Sequence, residues 1–361
     1  MKRILSHHIL MLYFMFIAVF SVSVLPSALT SKAGTAGIII PACALPAAAI
    51  FCLVINYIYK NYSTAGEFLK ENFGERFTKI ISFLIIAQLA VCSVMLLKSF
   101  GSRMEQTLSY IGREISIIVL MALAFFAVAS GFKTIIRTVA ICSLLLFITV
   151  VLMLVFSVKG LDFTLALPFF KPDISAFSKS LIFPVGSFCF LAPMLFFYKP
   201  VFKAKSAFGA VLLSLVFMSA ISLIIICTFS LPVSEKISFP FFSLIKSADT
   251  FSVSEHFDAF FNANWLIFSA ALLCFVFYSV CEGIKQAVEI KSITAFIGIS
   301  AVSGIIIGAF ALSDFLDSEK IIAFNSFYLP YFNIILGFIL PVFLVIISKI
   351  KQKVHKNVTI S

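Results

Sequence analysis

Phe183-Pro184-Val185-Gly186-Ser187 interrupts an apolar run that extends from about Leu181 to Tyr198 and closes on Lys199, Lys203 and Lys205. A run of that length can cross the apolar core of a bilayer as a helix. Pro184 has no backbone N–H and disfavours a continuous helix through the preceding turn. Gly186 loosens the same turn, and Pro193 adds a second weak point. Backbone groups freed by a break cannot face lipid, so the break has to face protein or a wet cavity. Interrupted helices of this kind line the midplane sites of secondary transporters. A simple proline kink is the plainer reading of the same residues.

Working outward, a second candidate break, Ser23-Val24-Leu25-Pro26-Ser27, lies in the first apolar run. The 361 residues are 61% hydrophobic and only 12% charged, a balance that excludes a soluble domain and implies a polytopic membrane protein. Ten spans are expected, over roughly 9–30, 37–59, 80–98, 115–131, 138–157, 180–198, 208–230, 263–282, 293–311 and 330–348. The two breaks then fall in spans one and six, the first of each five-span half, and interrupted segments in matching positions point to a binding site. The whole chain, 1–361, reads as one all-α membrane domain, with halves over about 9–157 and 180–348. Met1-Lys2-Arg3 ahead of an apolar run also fits a cleaved signal, but the segment is read as a retained span.

The net charge of +11 does not call for nucleic acid, because the basic residues segregate across the membrane. Ten spans put both termini on one side. That side holds 17 of the 27 basic and 5 of the 16 acidic residues, a balance of +12. The other side holds the remaining 10 basic and 11 acidic residues, a balance of −1, so cytoplasmic termini are expected.

The eight cysteines all fall in apolar spans without a Cys-x-x-Cys pair, and the four histidines do not cluster. Buried thiols are expected, with no disulfide framework, metal site or cofactor. Hydrolase, nucleotide-binding and zinc motifs are absent, so no enzymatic chemistry is expected. In the loop between spans two and three, Ser63 or Thr64 can cap a short helix with Glu67 in its first turn. Its Phe68, Leu69, Phe73 and Phe77 lie at helical spacing, and it rests either on the membrane surface or against the bundle. Trp265, Tyr328 and Tyr331 at outer span edges read as an aromatic belt.

Midspan charge is scarce. Lys98 can snorkel from the outer end of span three, and Glu282 near the inner end of span eight reads as a partner of Lys285 or as a coupling carboxylate. Gln88, Ser93, Ser187, Ser269 and Ser279 are the remaining polar candidates, serving as interhelical hydrogen-bonding groups or as ligand contacts.

Several stretches together resemble one family over nearly the whole chain. They are Leu25-Pro26 with Ala33-Gly34, Tyr59-Lys60-Asn61-Tyr62 leading to Phe73-Gly74, and Phe183-Pro184-Val185-Gly186 with Lys199-Pro200. Ser238-Phe239-Pro240-Phe241, Phe257-Asp258-Ala259 with Trp265, and Tyr331-Phe332-Asn333 with Pro341 complete the set. This order and spacing are similar to the B subunits of bacterial spore germination receptors, the GerAB-type endospore germination permeases. The resemblance implies the amino acid–polyamine–organocation superfamily and a leucine-transporter-like fold, with spans one to five and six to ten as inverted repeats. It implies a small nutrient ligand, usually an amino acid, sensed at a midplane pocket. It also implies a receptor A subunit (a membrane protein) and a C subunit (a lipoprotein) as partners in the spore inner membrane. Relatives tend to carry glycines near Val19 and Ser21 and an acidic residue near Ser187.

The ligand site is accordingly expected at Val24, Leu25, Pro26 and Ser27 of span one, Gln88 of span three, and Phe183, Pro184, Val185, Gly186 and Ser187 of span six. Backbone N–H groups near Gly186 and Ser187, or from Pro26 to Ala28, would meet a ligand carboxylate. An ion-coupled amino-acid transporter and a ligand-free structural subunit are the alternative functions.

Overall fold

The computed structural model describes residues 33–107, 112–157, 161–167, 174–200, 203–234, 257–313 and 328–358, with isolated positions elsewhere, including Phe14–Phe16, Val19 and Leu29 of span one. It is an all-α bundle. Among the described residues, eight helices are long and apolar enough to cross a bilayer. They coincide with expected spans three to ten: Glu75–Thr107, Arg113–Ser130, Phe132–Ser157, the pieces from Ile174 to Leu195, Ala204–Phe229, Phe257–Ala287, Ile293–Leu312, and the pieces from Leu329 to Val358. Span two is divided into Gly34–Ile38, Ile40–Cys43 and Leu45–Asn61. Pro41 and Pro46 sit in the first turns of the last two pieces, where a missing N–H costs nothing.

Span eight is the hub. It packs against spans three, four, five and nine. Its residues from Phe268 to Cys281 are buried almost without interruption, as an all-round apolar helix must be. Spans four and nine lie at the periphery and expose Ile118, Val119, Val302 and Ile305, as lipid-facing helices do. Trp265, expected in an aromatic belt, is instead buried and stacked on Phe261 at 6.0 Å.

The loop helix Ala65–Phe73 carries the expected capping box. Glu67 N–H donates to Thr64 Oγ1 at 3.0 Å, and Ser63 N–H donates to Glu67 Oε2 at 2.7 Å. Phe68 and Leu69 are fully buried, so the helix packs on the bundle rather than lying on the membrane surface. It fastens to the end of span ten: Ser348 Oγ donates to Asn72 Oδ1 at 2.6 Å, and Lys351 Nζ to the Asn72 carbonyl at 3.1 Å. Span ten itself is α-helical over Leu329–Ile334, π-helical over Ile335–Ile339, and α-helical again over Leu340–Val358.

Arg3–Ile4 and Lys199–Pro200 form a two-residue parallel strand pair, which ties the approach to span one to the end of span six. Seven of the eight cysteines are buried thiols as expected; Cys43 is exposed, at the end of a four-residue helix.

Candidate functional site

Span six is interrupted, but not where the prolines suggested. Phe183, Pro184, Val185, Gly186 and Ser187 all lie inside a helix, Ile182–Cys189, and Val185 N–H donates to Leu181 O at 3.3 Å. The interruptions fall at Leu181 and Phe190. Pro184 and Pro193 are each the third residue of the helix that follows, so each proline ends the helix before it and is tolerated in the next. The N–H groups of Gly186 and Ser187 are therefore held within a helical turn, not free for a carboxylate. Ser187 Oγ donates to Phe183 O at 2.9 Å and is satisfied within its own helix. Phe183, Pro184, Gly186 and Ser187 are buried and Val185 partly so. Val24, Leu25, Pro26 and Ser27 lie outside the described residues. Span one does reach the break, since Phe16 stacks on Phe190 with ring centroids 4.3 Å apart.

What gathers at the break is a polar link across three spans. The N–H of Phe190 turns to Phe188 O, so it does not serve the Gly186 carbonyl four residues back. That carbonyl accepts from Asn333 Nδ2 of span ten at 3.1 Å. Asn333 Oδ1 in turn accepts from Gln88 Nε2 of span three at 2.7 Å. Gln88 is 6% and Asn333 3% exposed, so both amides are removed from solvent. With Asn333 Nδ2 committed to the carbonyl, its oxygen must accept, which fixes the orientation of Gln88. Gln88 Oε1 is then left buried with no partner among the described residues, an unmet acceptor worth about 1–3 kcal/mol.

Two glycines allow this proximity. A Cβ on Gly186 would lie 2.6 Å from Pro330 Cα, and one on Gly337 would lie 2.1 Å from Cys189 O. Cys189 O is the carbonyl that Pro193, four residues on, cannot bond. The freed carbonyl thus points at the π-helical turn of span ten. Sequence reasoning found Gln88 and Gly186 and missed Asn333, Pro330 and Gly337. The signal available was a lone amide at the start of an apolar run.

At the other end of span six the chain unwinds through Phe196–Tyr198. Gln286 Nε2 bridges the Phe197 carbonyl at 3.0 Å and Glu282 Oε1 at 3.2 Å, and Tyr278 Oη donates to Glu282 Oε2 at 3.5 Å. Lys285, read from sequence as the partner of Glu282, lies over the Phe296 ring at 5.2 Å. Tyr198 Oη and Ser279 Oγ are 3.0 Å apart. Lys98 does not snorkel outward: it is buried and donates to the Ser313 carbonyl at the end of span nine.

These features define a membrane bundle of the leucine-transporter-like class, with a sixth span interrupted at Leu181 and Phe190. The same architecture occurs in MhsT in complex with L-phenylalanine (TM-score 0.62, 16% identity, 94% of this chain and 97% of that chain). It occurs also in a substrate-bound, outward-open Na+-coupled sialic acid symporter (TM-score 0.59, 13% identity, 92% and 79%). At such identities the likeness shows the fold alone. No curated protein matches the chain significantly. The model of the spore germination protein family matches residues 3–316, and the chain belongs to that family. It is a germination-related membrane permease of a non-enzymatic class.

Proposed function

We propose that this chain is the membrane subunit of a spore germinant receptor and senses a small nutrient, an amino acid or similar molecule, where spans one, three, six and ten meet. The observation that carries the reading is the Gln88–Asn333–Gly186 link at the break, with Gln88 Oε1 left as an open buried acceptor. An ammonium group is a fitting donor to that oxygen, and charge-assisted bonds are the stronger kind. A ligand carboxylate would be met from the Pro26 to Ala28 side of span one. The ligand acts by binding one arrangement of the bundle better than another, because equal affinity shifts nothing. Spans one to five and six to ten form inverted repeats, the termini are cytoplasmic, and the chain works in the spore inner membrane with an A subunit and a C lipoprotein.

A second reading, an ion-coupled amino-acid transporter, draws on buried Glu282 beside the unwound end of span six. Germination dose–response curves of a host carrying Asn333→Ala or Gly186→Val test the sensing reading, with protein level checked by immunoblot. A shift of on the order of tenfold or more at normal protein level is expected from the loss of one to two buried hydrogen bonds. Curves that overlay the wild type overturn the site. Uptake of labelled amino acid into vesicles holding this chain alone would favour transport.

A further inference from the structure

Spans four, five and eight enclose a groove of about 690 Å³ on the outer face of the bundle, floored by Leu120, Ala270 and Cys274 and walled by Val119, Leu123 and Phe126. Along span four the lining runs from Ile115 to Ser130, about 22 Å at 1.5 Å per residue. That passes the midpoint of a ~30 Å apolar core. Three of the four hydroxyls in the wall are already satisfied, and the fourth, Thr138, lies at the Lys133–Arg137 end. Ser116 donates to Gly112 O at 3.3 Å, Ser130 to Phe126 O at 2.9 Å, and Thr134 to Ser130 O at 3.2 Å. The groove therefore asks for an occupant that is apolar along its length.

One end of the groove is charged. Thr134 and Thr138 line it, and Lys133 and Arg137 each precede one of them on the same exposed edge of span five, one turn apart. Neither cation pairs with a carboxylate among the described residues. From Ile115 to Leu161 the sequence contains no acidic residue at all. An apolar groove that runs along the span, with two exposed cations at one end, is complementary to one chemistry. We propose that this groove binds an anionic phospholipid, with one acyl chain between spans four, five and eight and its phosphate at Lys133 and Arg137. Basic sites between membrane helices recognise anionic headgroups in this way. The tie to span eight gives the lipid a contact with the helix that packs against spans three, four, five and nine.

The test uses the full-length chain purified in detergent and titrated with phosphatidylglycerol or phosphatidylcholine under native mass spectrometry. One phosphatidylglycerol should be retained per chain, with on the order of tenfold preference over phosphatidylcholine. Lys133→Gln combined with Arg137→Gln should bring the two lipids to parity, and Ala127→Phe, filling the groove, should lower retention of both. An unchanged preference in the double variant overturns the proposal. So does wild-type retention in a folded Ala127→Phe protein. Lys133 and Arg137 are exposed, so the double variant decides the matter even where Ala127→Phe does not fold. A photoreactive residue at position 123 that crosslinks in cells to a polypeptide instead of phospholipid also overturns it.

Discussion

The carbonyl oxygen of Cys189 and the α-carbon of Gly337 are so close that a methyl group at residue 337 would lie 2.1 Å from that oxygen. Spans six and ten are therefore in backbone contact at the point where span six breaks. Gly337→Ala should force them apart and lower the thermal midpoint of the purified protein by several degrees, since overpacking costs typically 1–3 kcal/mol. An unchanged midpoint would show that the contact yields freely.

Gln88 and Asn333 should behave as one unit. Gln88→Leu or Asn333→Leu alone strands a buried polar partner, whereas the double variant removes both. Thermal-shift measurements on the four proteins should give a coupling of about 0.5–2 kcal/mol, in the range of interhelical hydrogen bonds in membranes. Strict additivity would mean that the two amides do not interact.

Ser187→Ala should leave germination response and stability nearly unchanged, because the hydroxyl bonds only the Phe183 carbonyl of its own helix. Gly186→Val, one residue away, should act strongly through Pro330. A Ser187→Ala effect as large as that of Gly186→Val would place the hydroxyl on the ligand.

Much of the architecture was legible. Apolar runs located spans three to ten, and the proline pair marked span six as broken. The break was displaced because a proline disrupts the turn behind it and fits the first turn ahead of it, so Pro184 and Pro193 mark helix starts at Ile182 and Leu191. Gln88 stood out as an amide in mid-span. Asn333 did not, since a hydropathy boundary near residue 330 put it at the membrane edge. Gly337 carries no signature, because close backbone approach depends on a partner helix almost 150 positions away. The strand pair of Arg3–Ile4 with Lys199–Pro200 is too short to leave a pattern.

Asn72→Ala should free the helix Ala65–Phe73 from span ten by removing the bond to Ser348 and the one from Asn72 Nδ2 to Tyr62 Oη at 3.0 Å. Limited trypsin digestion of vesicles with the face that carries this helix exposed should then cut faster at Lys70. Equal rates would mean that Phe68, Leu69 and the Lys351 bond to the residue-72 carbonyl suffice to hold the helix.

Orientation is open to a direct check. Ser361→Cys in an otherwise cysteine-free chain should resist an impermeant thiol reagent applied to intact cells, given the +12 against −1 balance of charge. Labelling from outside would invert the topology.

The π-helical turn at Ile335–Ile339 places one extra residue between Asn333, which holds span six, and Ser348, which holds the loop helix. One residue in a regular α-helix corresponds to about 100° of rotation. Span ten thus acts as two cylinders set out of phase, each indexed to its own neighbour. Deleting a single residue within 335–339 would restore a regular ladder and swing one anchor out of reach of its partner, whereas a deletion plus a compensating insertion on the same side of the turn would keep both in phase.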